Sequence, residues 1–463
     1  MKPVLRAIPP LLAVVTTMLA LALLVLPSPE GLPTEAARAL GLVIFAIGLW
    51  ATAVVPEVLT ALAFLLFAVL FSVAPNPVIF SGFASTAIWL VFGGLFIGAA
   101  VQRTGLGPVI AEVLVRHLGT SYLTMLSAIA VTCIGLSFLM PSVMGRVLLL
   151  VPIVTALSDR IGFPPGSRGR IGLVMVTLLA TYMPSCAILP SNVPNMVLAG
   201  AAETIHGVSL TYGSYLLLHF PILGLFKTVL IVLLVWVLFR DEPREVPEES
   251  GSVAIPRQAR TLLVILLVAL GFWITDFLHH VSPAWIAMAA AIVLLIPRVG
   301  LLPIESFSQG INFAPFFFVA AILAVGAIVN QSGLGEISGR ALLDVLELSP
   351  GADFRNFMTL SLAWTLLAML FTIGGLPAIL TPLAGEVAGA AGMSLQAVLM
   401  SEVIGYSTVV LPYQMAPLIV GIAIGGVRVG ECARVMLPLT ALTFLLVLPL
   451  NFLWWQYLGY FGG

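Results

Sequence analysis

What this chain lacks most is charge. Of its 463 residues 8% are charged, against about 25% in an ordinary soluble domain. Water-soluble stretches are as scarce, and the one clear case is RDEPREVPEESGSVAIPRQAR at 240–260. Cysteine is nearly absent: Cys133, Cys186 and Cys432 lie in apolar segments at unrelated spacings. That excludes a disulfide framework or a cysteine metal set and leaves them as packing residues. A net charge of −1 gives no footing for nucleic-acid binding. No HExxH, GxGD or GxSG motif lies near a membrane histidine, so an intramembrane hydrolase has no machinery and the chain is not read as an enzyme. What is present is apolar: 60% hydrophobic residues and a mean hydropathy of +1.16. This is the composition of an all-α polytopic membrane protein with no soluble domain attached.

Within that apolar background one stretch occurs twice. LMPSVMGRVLLLVPI at 139–153 returns as LFTIGGLPAILTPL at 370–383. Ser142 precedes Pro152 by ten residues, and Thr372 precedes Pro382 by ten. Each copy reads as a break between two half-helices too short to cross a bilayer alone. Broken backbone at membrane depth is tolerated only where protein or a water-lined cavity covers it. Paired breaks in two halves of a membrane chain point to a transporter's binding site.

Spanning-length segments are expected at 36–55, 57–73, 85–103, 170–187, 213–239, 259–278, 282–297, 311–330, 394–411 and 431–457. The run at 8–26 is too long for a signal-peptide core, and PSPEG is a poor cleavage site, so it is read as a first transmembrane helix within 1–34. That makes about eleven spans plus two re-entrant hairpins, 121–158 and 354–391. The organisation is a first repeat at 35–239, a cytoplasmic linker at 240–260 and a second repeat at 261–463. FGGLFIGAAVQRTGLG at 92–107 is echoed by FVAAILAVGAIVNQSGLG at 318–335, pairing Gly98 with Gly326 and Gly105 with Gly333. Trp50 and Thr52 are echoed by Trp273 and Thr275. After each GLG an amphipathic interfacial helix is expected, with Glu112 and Arg116 paired in the first and Glu336, Arg340 and Asp344 in the second. Most Lys and Arg fall on one side if the N-terminus is cytoplasmic, leaving Arg38, Arg340 and Arg355 outside and Arg146 and Lys227 in the membrane. An odd number of spans then inverts the second repeat. The location is the inner (plasma) membrane.

A second interruption follows each hairpin. Leu189-Pro190 and Leu411-Pro412 open these breaks, and Pro194 and Pro417 close them. Proline frees carbonyls upstream of it. Freed carbonyls and half-helix C-termini suit a cation, and half-helix N-termini suit an anion. Ser191, Asn192 and Asn195 in the first break and Gln414 in the second add polar ligands. Arg146 stands one turn past Ser142 and can grip a carboxylate with its fork; the alternative is snorkelling or pairing with a neighbour. On the anion reading, Arg146→Gln abolishes uptake while the protein still folds. Glu402 and Lys227 are candidate proton carriers, weighed against packing or snorkelling for the lysine and a structural partner for the glutamate. Asp276, His279 and His280 read as a solvated outer helix end, and Glu203 and His206 as interfacial.

These residues resemble the divalent anion:sodium symporter family of dicarboxylate, citrate and sulfate transporters, over nearly the whole chain. Trp50, Thr52, Pro56 and Thr60-Ala61-Leu62 follow its W-x-T-E-x-x-P…T-A-L signature, with Ala53 at the place of its glutamate. Gly93-Gly94 and Gly105-Leu106 match its glycine element. The family's hairpin tips carry Ser-Asn-Thr. Here those places hold Ser142, Val143 and Met144, and then Thr372, Ile373 and Gly374. Its Pro-Pro-Asn loop stands as Val193-Pro194-Asn195 and degenerates to Ala416-Pro417-Leu418. The resemblance implies substrate contacts from Ser142, Val143, Met144, Asn195, Thr372, Ile373, Gly374 and Pro417. It implies sodium as coupling ion around Ser142, Asn195 and Thr372, no other cofactor, and a homodimer in the bilayer. With both tip asparagines replaced, sodium dependence is expected to be weak or confined to the first site. The leading function is secondary transport of a small anion, a di- or tricarboxylate or an inorganic anion such as sulfate, by elevator-type movement. The alternatives are a proton-coupled anion, metalloid or cation antiporter of a related fold, and a non-transporting receptor.

Overall fold

The computed structural model describes residues 2–52, 54–107, 109–110, 121–243, 255–370 and 373–461. Among them the secondary structure is helical throughout. The first repeat contains α2 (Thr34–Thr52), α3 (Glu57–Leu70) and α4 (Thr86–Arg103), after α1 (Lys2–Val25). The first hairpin is α5 (Tyr122–Leu139) and α6 (Val143–Arg160); α7 (Arg168–Tyr182) and α8 (Val193–His206) flank the first broken loop, and α9 is Tyr212–Phe239. The second repeat runs α10 (Arg257–Ile274), α11 (Pro283–Leu295), α12 (Ala314–Gln331), α13 (Leu334–Leu346), the hairpin α14 (Asp353–Leu370) and α15 (Leu376–Ala391), then α16 (Leu395–Ser407), α17 (Ala416–Gly425) and α18 (Val429–Tyr457).

Local chemistry sets the ends of these helices. Ser167 and Ser394 cap the starts of α7 and α16, accepting from the N–H of Arg170 (3.4 Å) and Ala397 (3.1 Å). Pro194 and Pro417 sit in the first turn of α8 and α17, where the missing N–H costs nothing. The matched glycines keep matched backbone: Gly105 and Gly333 both have φ +73°, and Gly207 and Gly426, after α8 and α17, both have φ +66°. Left-handed backbone is a conformation that glycine supplies without strain. Trp50 and Trp273 donate their indole N–H to the carbonyls of Glu57 (3.2 Å) and Pro283 (3.0 Å) at the start of the next helix. Both α9 and α18 carry a π-helical turn, at Phe220–Phe226 and Thr443–Val447.

The two repeats interlock by exchange. Helix α3 packs on α12 and α11 on α4; α6 packs on α17 and α15 on α8; α7 packs on α17 and α16 on α8. Each hairpin straddles its own central helix, α5 and α6 on α7, α14 and α15 on α16. Those two helices form the centre: Ile171 through Tyr182 and Ala397 through Ser407 are all buried. The close approach of α4 to α11 depends on Gly93, where a Cβ would lie 2.6 Å from the Ala287 backbone.

Several expectations need correcting. Three of the four hairpin arms are not half-helices: α5, α6 and α14 have 18 residues each, about 27 Å of helix, whereas α15 is short and interrupted at Thr381–Leu383. Helix α10 starts at Arg257, inside the expected linker; residues 244–254 of that linker lie outside the described residues. In α13 Glu336 pairs with Arg340, but Asp344 joins no ion pair among the described residues. Glu112 and Arg116 lie outside the described residues, as does Ala53.

Candidate functional site

The first hairpin tip is three residues of non-helical chain, Met140 to Ser142. Ser142 is extended (φ −116°, ψ 109°) and its Oγ accepts the Gly145 N–H at 3.1 Å, so it serves as the N-cap of α6. Pro141 nests against Gly94, where a Cβ would lie 2.9 Å from the proline ring. Val143 is buried in the first turn of α6 and Met144 is half-buried beside it. Neither offers a hydrogen-bonding group where the family motif has Asn and Thr.

Arg146 follows one turn on and is fully buried. Its Nη1 donates to the Met140 carbonyl and to Ser191 Oγ at 3.0 Å; its Nη2 donates to the carbonyls of Thr181 (3.2 Å) and Ser191 (3.3 Å). Thr181 is in the last turn of α7, Met140 ends α5 and Ser191 is in the broken loop. The guanidinium therefore gathers carbonyls that a helix end and a loop leave without partners. The fork expected to grip an anion is turned onto protein oxygens, and only Nε lacks a partner. It neither snorkels nor pairs with a carboxylate among the described residues.

The loop between α7 and α8 consists of two 3₁₀ turns, Pro184–Ala187 and Leu189–Ser191, and every residue in it is buried. Its polar side chains mostly hold the loop itself. Asn195 Nδ2 donates to the carbonyls of Ser185 (3.0 Å) and Ile188 (2.8 Å), and Asn192 Nδ2 contacts Cys186 Sγ at 3.2 Å. Asn195 Oδ1 is buried without a hydrogen-bond partner. Of the polar groups expected here, Ser191 and Asn192 are engaged and the Asn195 oxygen remains open.

The second break is built differently. Thr372 lies outside the described residues; Ile373 is buried and Gly374 is half-buried, with the Phe318 ring 3.6 Å from where a Cβ would stand. Gln414 Oε1 accepts the N–H of Val410 (2.8 Å) and Leu411 (2.7 Å), while Nε2 donates to the Ala368 carbonyl on α14 (3.0 Å). The amide expected as an ion ligand is fully engaged in tying the loop to its hairpin. Pro417 is half-buried at the start of α17. Lys227, just past the π turn of α9, is fully buried and donates to the carbonyl of Ser407, the last residue of α16, at 2.9 Å.

Three tyrosines that sequence reasoning passed over knit the two central helices together. Tyr182 Oη donates to the Tyr406 carbonyl (2.9 Å), Tyr406 Oη meets Tyr215 Oη (3.2 Å), and Tyr215 Oη donates to the Cys186 carbonyl (2.7 Å). A signal existed: each broken helix carries a tyrosine shortly before its Leu-Pro. Glu402 is buried on α16, one oxygen accepting from Thr381 Oγ1 at 3.1 Å and the other unpartnered. The Thr381 carbonyl in turn meets His206 Nε2 at 2.7 Å. Asp276 is not solvated as expected: it is buried and accepts from the N–H of Tyr212 (2.5 Å) and Gly213 (3.3 Å), capping the start of α9. Glu203 is engaged with Thr86 at the start of α4, Oγ1 donating at 2.5 Å. No cluster of His, Cys, Asp and Glu among the described residues could hold a transition metal.

Two broken helices packed together inside a bundle of membrane-spanning length, with a hairpin on each, are the architecture expected of a polytopic secondary transporter. The chain belongs to the sodium:sulfate symporter family, whose transmembrane-region model matches residues 8–461. It is 25% identical over 470 residues to a membrane protein of Cupriavidus necator, covering 95% of this chain and 91% of that one. It is 24% identical over 282 residues to the L-tartrate/succinate antiporter of Escherichia coli K12, a match that spans 57% of this chain and 56% of the relative's length. Among solved structures it resembles the Alcanivorax borkumensis YdaH transporter, with TM-score 0.56 and 18% identity over 92% of this chain and 99% of that one. That likeness shows the fold. The protein is thus a multi-pass membrane transporter of anions and not an enzyme.

Proposed function

We propose that this transporter exchanges one small dianion of the di- or tricarboxylate class for another. The unit of both hairpins with α7, α8, α16 and α17 moves in elevator fashion against the remaining helices, in a homodimer, with the N-terminus and the linker cytoplasmic. The observation that carries this reading is the packing together of two buried broken helices, each leaving polar oxygens unpartnered, among them Asn195 Oδ1 past the first break and Thr408 Oγ1 at the second. Buried polar groups are ordinarily satisfied, so an unpartnered pair at paired breaks suits a polar ligand. The E. coli relative's role as a tartrate/succinate antiporter supports the substrate class. Proteoliposomes preloaded with succinate should take up labelled tartrate or succinate, and empty ones should not. Equal uptake into empty vesicles under a sodium gradient would replace exchange by symport, and no uptake of any anion would leave a receptor.

One observation favours a second reading, proton coupling through Glu402. Its carboxyl is buried with one oxygen free, which is costly unless a proton or ligand attends it. On that reading Glu402→Gln runs exchange normally but loses stimulation by an imposed pH gradient.

A further inference from the structure

Helices α9 and α18 enclose a polar cluster that belongs to neither break. Trp454 Nε1 donates to the Leu217 carbonyl at 3.0 Å, and the π turns Phe220–Phe226 and Thr443–Val447 pack on each other further along. The two helices therefore run antiparallel there. Asn451 and Trp455 lie one turn apart on the buried face of α18, opposite the stretch of α9 that begins at His219. The rings of His219 and Trp455 are 5.7 Å apart, edge to face. Tyr215 closes one side, its ring 4.6 Å from His219, and Phe357 of α14 closes the other, 5.3 Å from Trp455. All three polar side chains are fully buried. Yet His219 Nδ1 and Nε2, Asn451 Nδ2 and Oδ1, and Trp455 Nε1 have no hydrogen-bond partner. Among the described residues, His219 and Asn451 are the only buried side chains with two polar atoms both unpartnered.

We propose that His219, Asn451 and Trp455 form a binding site for ordered water between the two repeats. The donor set selects this ligand. A neutral imidazole offers one donor and one acceptor, the carboxamide two N–H donors and one acceptor, and the indole one donor. An anion would leave the acceptors bare and a cation the donors, whereas water both gives and takes. A buried water makes about three hydrogen bonds, so these atoms suit about one or two such molecules. The site stands against the two π turns, an uncommon feature that concentrates at functional positions. It also lies beneath the second hairpin, whose first helix rests on Trp455 through Phe357. A water-filled contact there tolerates small shifts of either π turn, because each molecule can turn to new partners without leaving a buried group bare. The assignment is independent of which anion is carried.

The test uses the purified full chain and hydroxyl radicals made by X-ray radiolysis, with the oxidised side chains read by mass spectrometry. Radicals form from a bound water in place, so a buried side chain beside one is oxidised, while one in dry packing is protected. Trp364 and Trp273 are the controls. Both are buried, but their indole N–H groups donate to Ser401 Oγ (2.8 Å) and the Pro283 carbonyl (3.0 Å). Trp455 should be oxidised severalfold faster than either, and equal rates would overturn the proposal. Asn451→Leu, of similar size, gives a second readout. It removes bonds to the bound water, so oxidation of Trp455 should slow and the melting temperature should fall. A melting temperature equal to or above that of wild type would show that the asparagine was buried without any partner, and would also overturn the site. If the variant does not fold, Trp455 against Trp364 and Trp273 in the wild type decides alone.

Discussion

The first and second breaks share a backbone plan and almost none of its chemistry. In the first, one cation from the hairpin reaches the hairpin tip, the end of α7 and the loop together. In the second, the same tasks are divided: Gln414 ties loop to hairpin, and Lys227 arrives from a helix outside the hairpin to meet the end of α16. Even the shared proline acts differently. Pro152 stays within the continuous α6, whereas Pro382 lies in the 3₁₀ turn Thr381–Leu383 that interrupts α15. What the repeats preserve is where the chain turns, as the matched φ values of Gly105 and Gly333 show. How each exposed carbonyl finds a donor was free to diverge, because any donor of the right reach satisfies the same physical requirement.

The comparison can be broken hardest at Arg146. Arg146→Gln removes donors from three carbonyls and a hydroxyl, at roughly 1–3 kcal/mol for each buried acceptor left unsatisfied. Folded protein should largely disappear from membrane extracts on size-exclusion chromatography. That reverses the outcome expected when the arginine is taken as an anion grip, and a normal yield of folded but inactive Arg146→Gln would restore the anion-grip role. Gln414→Ala leaves two N–H groups and one carbonyl without partners, but Val410 and Leu411 are only half-buried. It should lower the melting temperature clearly while folded protein persists. If it is instead the more damaging of the two, the second break depends on its glutamine more than the first does on its arginine. Asn195→Ala removes donors from two carbonyls and deletes the open oxygen. A modest loss of stability should come with a rise in apparent KM for the exchanged anion, and an unchanged KM would remove Asn195 from the site. The smallest effect separates the tyrosines. Tyr182→Phe strips a donor from a backbone carbonyl, at about 0.5–1.5 kcal/mol, whereas Tyr406→Phe loses only a hydroxyl–hydroxyl contact. Tyr182→Phe should melt lower, and the reverse order would show that the hydroxyl pair matters more.

Much of the frame was legible in the residues. The doubled Ser/Thr-to-Pro spacing, the paired Leu-Pro openings and the matched GLG elements marked both breaks and the repeat, because proline and glycine act locally on the backbone. The partners of the buried polar groups were not legible. Arg146 meets Thr181 and Ser191, 35 and 45 residues away, and Lys227 meets Ser407 across 180 residues. No periodicity carries that distance. Asp276 misled for the same reason: beside two histidines at a helix end it looks solvated, yet it caps a helix that begins more than sixty residues earlier. Three of the arms were read too short because a tip of three non-helical residues interrupts hydropathy no more than a polar turn within a helix would.

The exchanged packing between repeats has a consequence for how the protein is made. Helix α8 ends at His206, and the helix that covers it, α15, begins at Leu376. At a synthesis rate of about 5–20 residues per second, α8 and the buried loop before it wait roughly 10–30 s for that cover. During that interval a polar loop and a guanidinium are in the insertion machinery's care, without the neighbours that later enclose them. The unit that becomes stable is the pair of repeats, not either one. A gene cut within the 244–254 stretch and expressed as two polypeptides should therefore yield neither half alone, but both together when they are made in the same cell.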